Sequence, residues 1–176
     1  MLKTAIIVVV VLIAAILMYA ATRPDTYRVQ RTAAMNAPPD KVFGLINDLH
    51  AWASWSPWEK KDLAMKKTHS GAPQGKGAVL EWDGNKEVGT GRMEVLDSIP
   101  ASRLLIKLDF LKPFESHNTA EFTLTPGAGT TQVTWAMYGP QPYGMKVMGF
   151  FCNIDKMVGK DFEDGLANLK ALAEKS

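Results

Sequence analysis

Apolar residues follow three different periods along the chain. The first stretch is unbroken: from Thr4 to Thr22 no residue is charged, and Ala5 to Met18 is apolar throughout. As a helix, these nineteen uncharged residues reach about 28 Å, close to the hydrocarbon thickness of a bilayer. A cleaved signal peptide is the competing reading. It needs an apolar run of about 7–15 residues and small residues at the cleavage site. Cleavage after Ala20 or Ala21 would set Met18 or Tyr19 where a small residue is required. The pattern therefore predicts an uncleaved, single-pass transmembrane anchor over residues 1–23. Lys3 precedes the span, and Arg23, Arg28 and Arg31 follow it. Counted literally, the positive-inside rule places the rest of the chain in the cytoplasm. A short tail with one lysine also suits export, so the side stays open.

Pro24 cannot continue the helical ladder and ends the leader. Beyond it the period becomes two. Tyr27, Val29, Ala33 and Met35 alternate with Arg28, Gln30 and Thr32, which predicts a strand over Tyr27–Met35. Pro39 suits a first helical turn, and Val42, Phe43, Leu45 and Ile46 predict a short amphipathic helix after it. A second short helical or looped piece carries Trp52, Trp55 and Trp58. Six further strands are predicted, over Ala64–His69, Ala78–Asp83, Gly91–Ile99, Arg103–Phe110, His117–Thr125 and Thr131–Tyr138. Turn residues such as Asp83-Gly84-Asn85 separate them. In the later strands the alternation is clean: Val133, Trp135 and Met137 oppose Gln132, Thr134 and Ala136. Closely spaced hairpins of this kind imply an antiparallel sheet with one covered face.

The third period is helical. Ile154, Val158, Phe162, Leu166, Leu169 and Ala173 recur at threes and fours, within one long helix predicted from about Met145 to Lys175. Its first part, Met145 to Cys152, is apolar nearly all round. Residues 24–176 then form one domain of ordinary size. Its class is α+β: a curved antiparallel sheet wrapped around a long C-terminal helix, with two short helices after strand 1, the helix-grip architecture. A straight helix cannot fill the concave face of a curved sheet, so a cavity is expected between them.

Composition narrows the function. Twenty basic and eighteen acidic residues leave a formal net charge of +2, too weak a field to suggest a nucleic-acid partner. The single cysteine, Cys152, excludes an intramolecular disulfide. His50, His69 and His117 lack metal-ligand spacing, no nucleophile elbow occurs, and Gly89-Thr90-Gly91 precedes a strand rather than a helix. No metal or cofactor is therefore expected. The supply of Trp, Phe, Tyr and Met suits a cavity lined by aromatics and Met, but on composition alone a well-filled core is the favoured reading.

Three segments carry a family resemblance: Leu49 to Lys60 (LHAWASWSPWEK), Lys112 to Asn118 (KPFESHN) and Asp155 to Lys170. With the opening Ala37 to Phe43 (APPDKVF), they resemble the START-like (SRPBCC) superfamily over about Tyr27 to the C-terminus. Within it they look like bacterial proteins of the polyketide cyclase/dehydrase type, including forms with an N-terminal span. The resemblance implies the helix-grip fold and an apolar ligand. It does not choose an activity, because that label covers cyclases, lipid carriers and coenzyme Q-binding proteins, with no catalytic motif to transfer residue by residue.

The expected partners are a hydrophobic small molecule and, through the N-terminal helix, membrane lipid. The expected function is a membrane-anchored binding protein or carrier for a lipid-like or polyaromatic molecule. The alternative is a cyclase/dehydrase-type enzyme. The expected ligand contacts are Trp58, Trp82, Trp135, Met137, Met148 and Phe151. Spacing by three sets Trp52, Trp55 and Trp58 on one helical face, as packing, as a gate at the cavity rim or as a contact with the membrane interface. Among Glu81, Arg92, Asp109, Glu115, His117 and Asn118, most positions alternate toward water. Glu115 and His117 follow Pro113-Phe114 at a strand start. If an acid/base exists, they are the candidates, since their types suit proton transfer near pH 7.

Overall fold

The computed structural model describes residues 2–150 and 153–175. Helix α1 (Leu2–Ala21) leads into β1 (Thr26–Met35), α2 (Pro39–Asn47), a 3-10 turn (Ala51–Ser54) and α3 (Trp58–Lys61). Strands β2 (Lys66–Gly71), β3 (Ala78–Asp83), β4 (Thr90–Ile99), β5 (Arg103–Lys112), β6 (Ser116–Pro126) and β7 (Thr131–Pro140) follow. Helices α4 (Tyr143–Met148) and α5 (Ile154–Ala173) close the described chain. The seven strands form one antiparallel sheet in the order β1-β7-β6-β5-β4-β3-β2. The α+β helix-grip architecture is thus present, with α1 ahead of it.

The alternation read from the sequence determines the faces. Leu104 and Ile106 of β5, Ala120, Phe122 and Leu124 of β6, and Val133, Trp135 and Met137 of β7 are buried on the concave side. Phe162, Leu166, Leu169 and Ala173 of α5 lie over them. α5 runs beside β1. Near its start Arg31 bonds Asp155 at 3.0 Å and Glu163 at 2.7 Å, and just past its end Glu174 accepts the Asn36 N–H at 2.6 Å. Because β1 lies at one sheet edge and β2 at the other, the segment from α2 to α3 must cross the concave face. Pro39 opens α2, which buries Val42, Phe43 and Ile46.

The C-terminal segment differs from the single long helix expected. It is two helices, α4 and α5, and the break has a local cause. Gly149 ends α4, and Asn153 caps α5 by accepting the Lys156 N–H on its side-chain oxygen at 3.0 Å. Strand β2 also starts two residues later than expected. The Asp62 carboxylate accepts the Ala64 N–H at 3.0 Å and holds that stretch as a turn. Phe151 lies outside the described residues. Helix α1 is long and apolar enough to cross a membrane, and only Ala20 of it is buried. Its last turns meet α4, where the Tyr143 hydroxyl donates to the Leu17 carbonyl at 2.8 Å.

Candidate ligand cavity

One side of the concave face is filled. Trp52 donates its indole N–H to the Ile46 carbonyl at 2.8 Å, and Trp55 donates to that of Leu45 at 3.0 Å. Both rings stand edge-on to Phe122, at 5.8 and 6.1 Å between centroids. The two tryptophans thereby fasten α2 and the 3-10 turn onto the sheet near the end of β1. Spacing by three does group the rings; for Trp55 the result is packing alone, while Trp52 packs and also reaches the cavity wall.

Trp135 stands at the boundary. Its ring is stacked between Phe162 at 4.2 Å and Phe122 at 4.8 Å, so strand β7 and helix α5 meet through three aromatic planes. Gly165 makes this approach possible: a Cβ there would stand 2.7 Å from Trp135 Cζ3. The Trp135 indole N–H is buried and finds no acceptor among the described residues.

Toward the other end of the sheet the facing surfaces part, and a cavity of about 300 Å³ remains. Trp135, Met137, Ile106 and Ala120 form its floor, with Trp82, Met93, Leu108 and Phe110 further out. Trp58, on α3, covers it from the side and stands edge-on to Trp135 at 5.6 Å. Trp82 lies flat because its partner across the β3–β4 pair is Gly91. A Cβ at Gly91 would stand 2.3 Å from the Trp82 ring. Any side chain there would force the indole toward the cavity.

The ionisable side chains among the lining residues are Glu59, Lys61, Glu87 and Asp161, all partly or fully exposed. They mark the mouth. Lys61 of α3 bonds Asp161 of α5 at 2.6 Å, tying the two walls together, and Glu59 is bonded by Lys67 of β2 at 2.6 Å. Sequence reasoning did not single out these four, nor Met65, Val88 and Met157 beside them. They lie on a short helix, a turn and the start of α5, where alternation says nothing about direction.

Of the expected ligand contacts, the structure brings Trp58, Trp82, Trp135 and Met137 to the cavity wall. Met148 is not among the lining residues. It sits on α4, half exposed, because the break before α5 sets α4 against α1 instead of the sheet. Glu115 and His117 stand apart from the cavity and are exposed. His117 Nδ1 is 2.8 Å from Asp109, its direct partner across β5–β6, and Nε2 is 3.5 Å from Glu115. Asp109 is buried on the convex side. Burial alone would raise its carboxyl, but hydrogen bonds from Lys107 and His117 together hold it below its ordinary value. Asn118 is buried on the concave side and accepts the Tyr27 hydroxyl at 2.8 Å. Burial pushes that phenol up to about 12.

An apolar hollow gripped between a curved sheet and a helix defines a hydrophobic-ligand-binding protein of the START-like (SRPBCC) fold, a group that includes polyketide cyclases. The chain belongs to the family described as polyketide cyclase / dehydrase and lipid transport, whose model matches residues 26–174. No curated protein matches the chain. Among solved structures, a protein from Chromobacterium violaceum is similar at 18% identity and a TM-score of 0.60, covering 88% of this chain and 100% of its own. The di-domain ARO/CYC StfQ from the steffimycin biosynthetic pathway is similar at 13% identity and a TM-score of 0.62, over 85% of this chain and 51% of that one. A ginseng major latex-like protein from Panax ginseng is similar at 10% identity and a TM-score of 0.62, over 86% and 100%. At these identities the likeness is one of fold.

Proposed function

We propose that the chain is a membrane-anchored carrier: residues 1–23 hold it in a bilayer, and residues 24–176 bind a lipid-like or polyaromatic small molecule in the cavity. The observation that carries the reading is the distribution of polarity in the cavity wall. The floor is aromatic and aliphatic, and ionisable groups stand only at the mouth, where Lys61–Asp161 and Glu59–Lys67 are already paired. Such a wall holds an apolar body and leaves a polar end at the mouth. A cyclase or dehydrase needs an acid/base beside a buried substrate. The two sequence candidates, Glu115 and His117, lie away from the cavity, so holding is better supported than chemistry.

Native mass spectrometry of the detergent-extracted full chain tests the reading. A stoichiometric added mass from one apolar small molecule supports it. Ligand-free protein that also fails to bind an apolar dye contradicts it. The anchor has its own check: the chain stays in membranes after carbonate washing with its N-terminus intact, whereas a mature N-terminus after Ala20 to Thr22 contradicts an anchor.

A further inference from the structure

The strand register fixes which end of the domain α1 enters. Thr26 of β1 pairs with Pro140 of β7, Phe110 with Ser116, Thr90 with Lys112, Asp83 with Thr90, and Lys66 with Asp83. These residues lie at one end of the strands of the curved sheet, and the four residues 22–25 join α1 to it. The β3–β4 turn, the β5–β6 turn, the loop before β2 and helix α4 therefore all lie at the α1 end. They are also tied together. Asn85 of the β3–β4 turn bonds Asp62 and the Lys61 carbonyl at 2.7 and 3.0 Å, and a Cβ on Gly89 would strike the Lys112 carbonyl.

The cavity mouth opens among these loops, since Met65, Glu87, Val88 and Met157 line it. Beside the ionisable side chains at the mouth, its rim exposes large apolar ones. Leu63, in the loop before β2, is 93% exposed, Phe114 in the β5–β6 turn 75%, and Met157 at the start of α5 66%. Leu111 and Met148 are also exposed at this end. Outside α1, the large apolar side chains exposed toward the opposite end among the described residues are Leu96 and Ile99. Exposed apolar groups gathered in one zone mark an interaction surface.

We infer that this rim is a bilayer-docking surface, which seats Leu63, Phe114 and Met157 in the lipid interface and sets the cavity mouth against the membrane that holds α1. It rests on the anchor reading above and adds an orientation to it. Continuity is the argument for lipid as the occupant. The rim begins where α1 ends, α4 lies along the last turns of α1, and Tyr143 bonds the Leu17 carbonyl inside the apolar run. A membrane crossed by α1 must lie beside this face, and amphipathic aromatic side chains such as Tyr143 are favoured at that depth.

The test uses the full chain with Cys152→Ser, reconstituted in phosphatidylcholine vesicles that contain lipid with a nitroxide high on its acyl chain. A fluorophore is attached at one introduced cysteine: Leu63→Cys, Phe114→Cys, Glu87→Cys at the mouth, Ala128→Cys in the β6–β7 turn at the far end, or Val9→Cys in α1. The expected result is quenching at 63, 114 and 87 at least threefold stronger than at 128, with 9 also quenched. Quenching at 9 with 63, 114 and 87 no stronger than 128 overturns the docking surface while the anchor stands. A protein partner or a second copy covering the rim gives that same pattern. Absence of quenching at 9 overturns the anchor, and the docking surface with it.

Discussion

At the end of the sheet near Met35, Trp52 and Trp55 have both their rings and their N–H groups satisfied, by Phe122 and by the carbonyls of α2. At the α1 end, Trp58 and Trp82 stand on strands and helices of the same apolar character and face open space. The two regions share the sheet and differ in what crosses it. Helix α2 and the 3-10 turn lie on the first, while over the second the chain narrows to the four residues of α3 before leaving for β2. A straight α5 over a curved sheet then leaves a gap that no side chain reaches. Empty apolar volume is therefore a property of topology here, not of a shortage of large residues.

Truncation at the boundary between the two regions, where Phe162 stacks on Trp135 and also lines the cavity, has the largest effect. Phe162→Ala removes a ring that is 1% exposed and stacked on Trp135, and its cost in chemical denaturation is expected at about 3–5 kcal/mol. A loss under about 1 kcal/mol means the aromatic stack does not hold α5 in place. Additions sharpen the contrast from the other direction. Gly165→Ala drives a methyl group into Trp135, and overpacking of this kind costs about 1–3 kcal/mol. Ala120→Leu, on the cavity floor, adds more atoms but enters free volume, so its unfolding free energy stays within about 1 kcal/mol of wild type. Equal losses for the two variants would mean that the cavity closes in solution.

The smallest effect concerns Tyr27, beside Asn118 at the α1 end. Its folded value of about 12 lies above the ordinary phenol value of 10, so the fold favours the neutral form. The stability from this group is complete below pH 10 and is lost as pH rises through 12. Absorbance titration of wild type against Tyr27→Phe should show one phenol ionising near 12. Ionisation of that phenol at 10 would mean that water reaches it freely.

Most of the sheet could be read from the sequence because alternation reports directly on which side of a strand is buried. Trp82, Trp135 and Met137 follow from it. The same alternation puts Ala136 with Thr134 on the outer face, so Ala120 is the small residue through which the cavity can be filled. Met148 was misplaced because Met145 to Cys152 is apolar all round and gives no sign of a break. Asn153 carries that sign, as an N-cap just before the helical stripe. The buried Asp109 is bonded by His117 opposite it, a cross-strand pairing that register alone reveals. The mouth residues Glu59, Lys61, Glu87 and Asp161 come together from three elements far apart in sequence, and no local period encodes that meeting.

One half of the concave face carries an open, ligand-sized cavity. Titration of an environment-sensitive apolar dye into the full chain in detergent, beside Ala120→Trp, tests it most directly. Saturable binding at one site per wild-type chain, competition by a lipid, and loss of binding in a variant that remains folded are expected. Binding that does not saturate, or an Ala120→Trp chain that binds as wild type does, would contradict it.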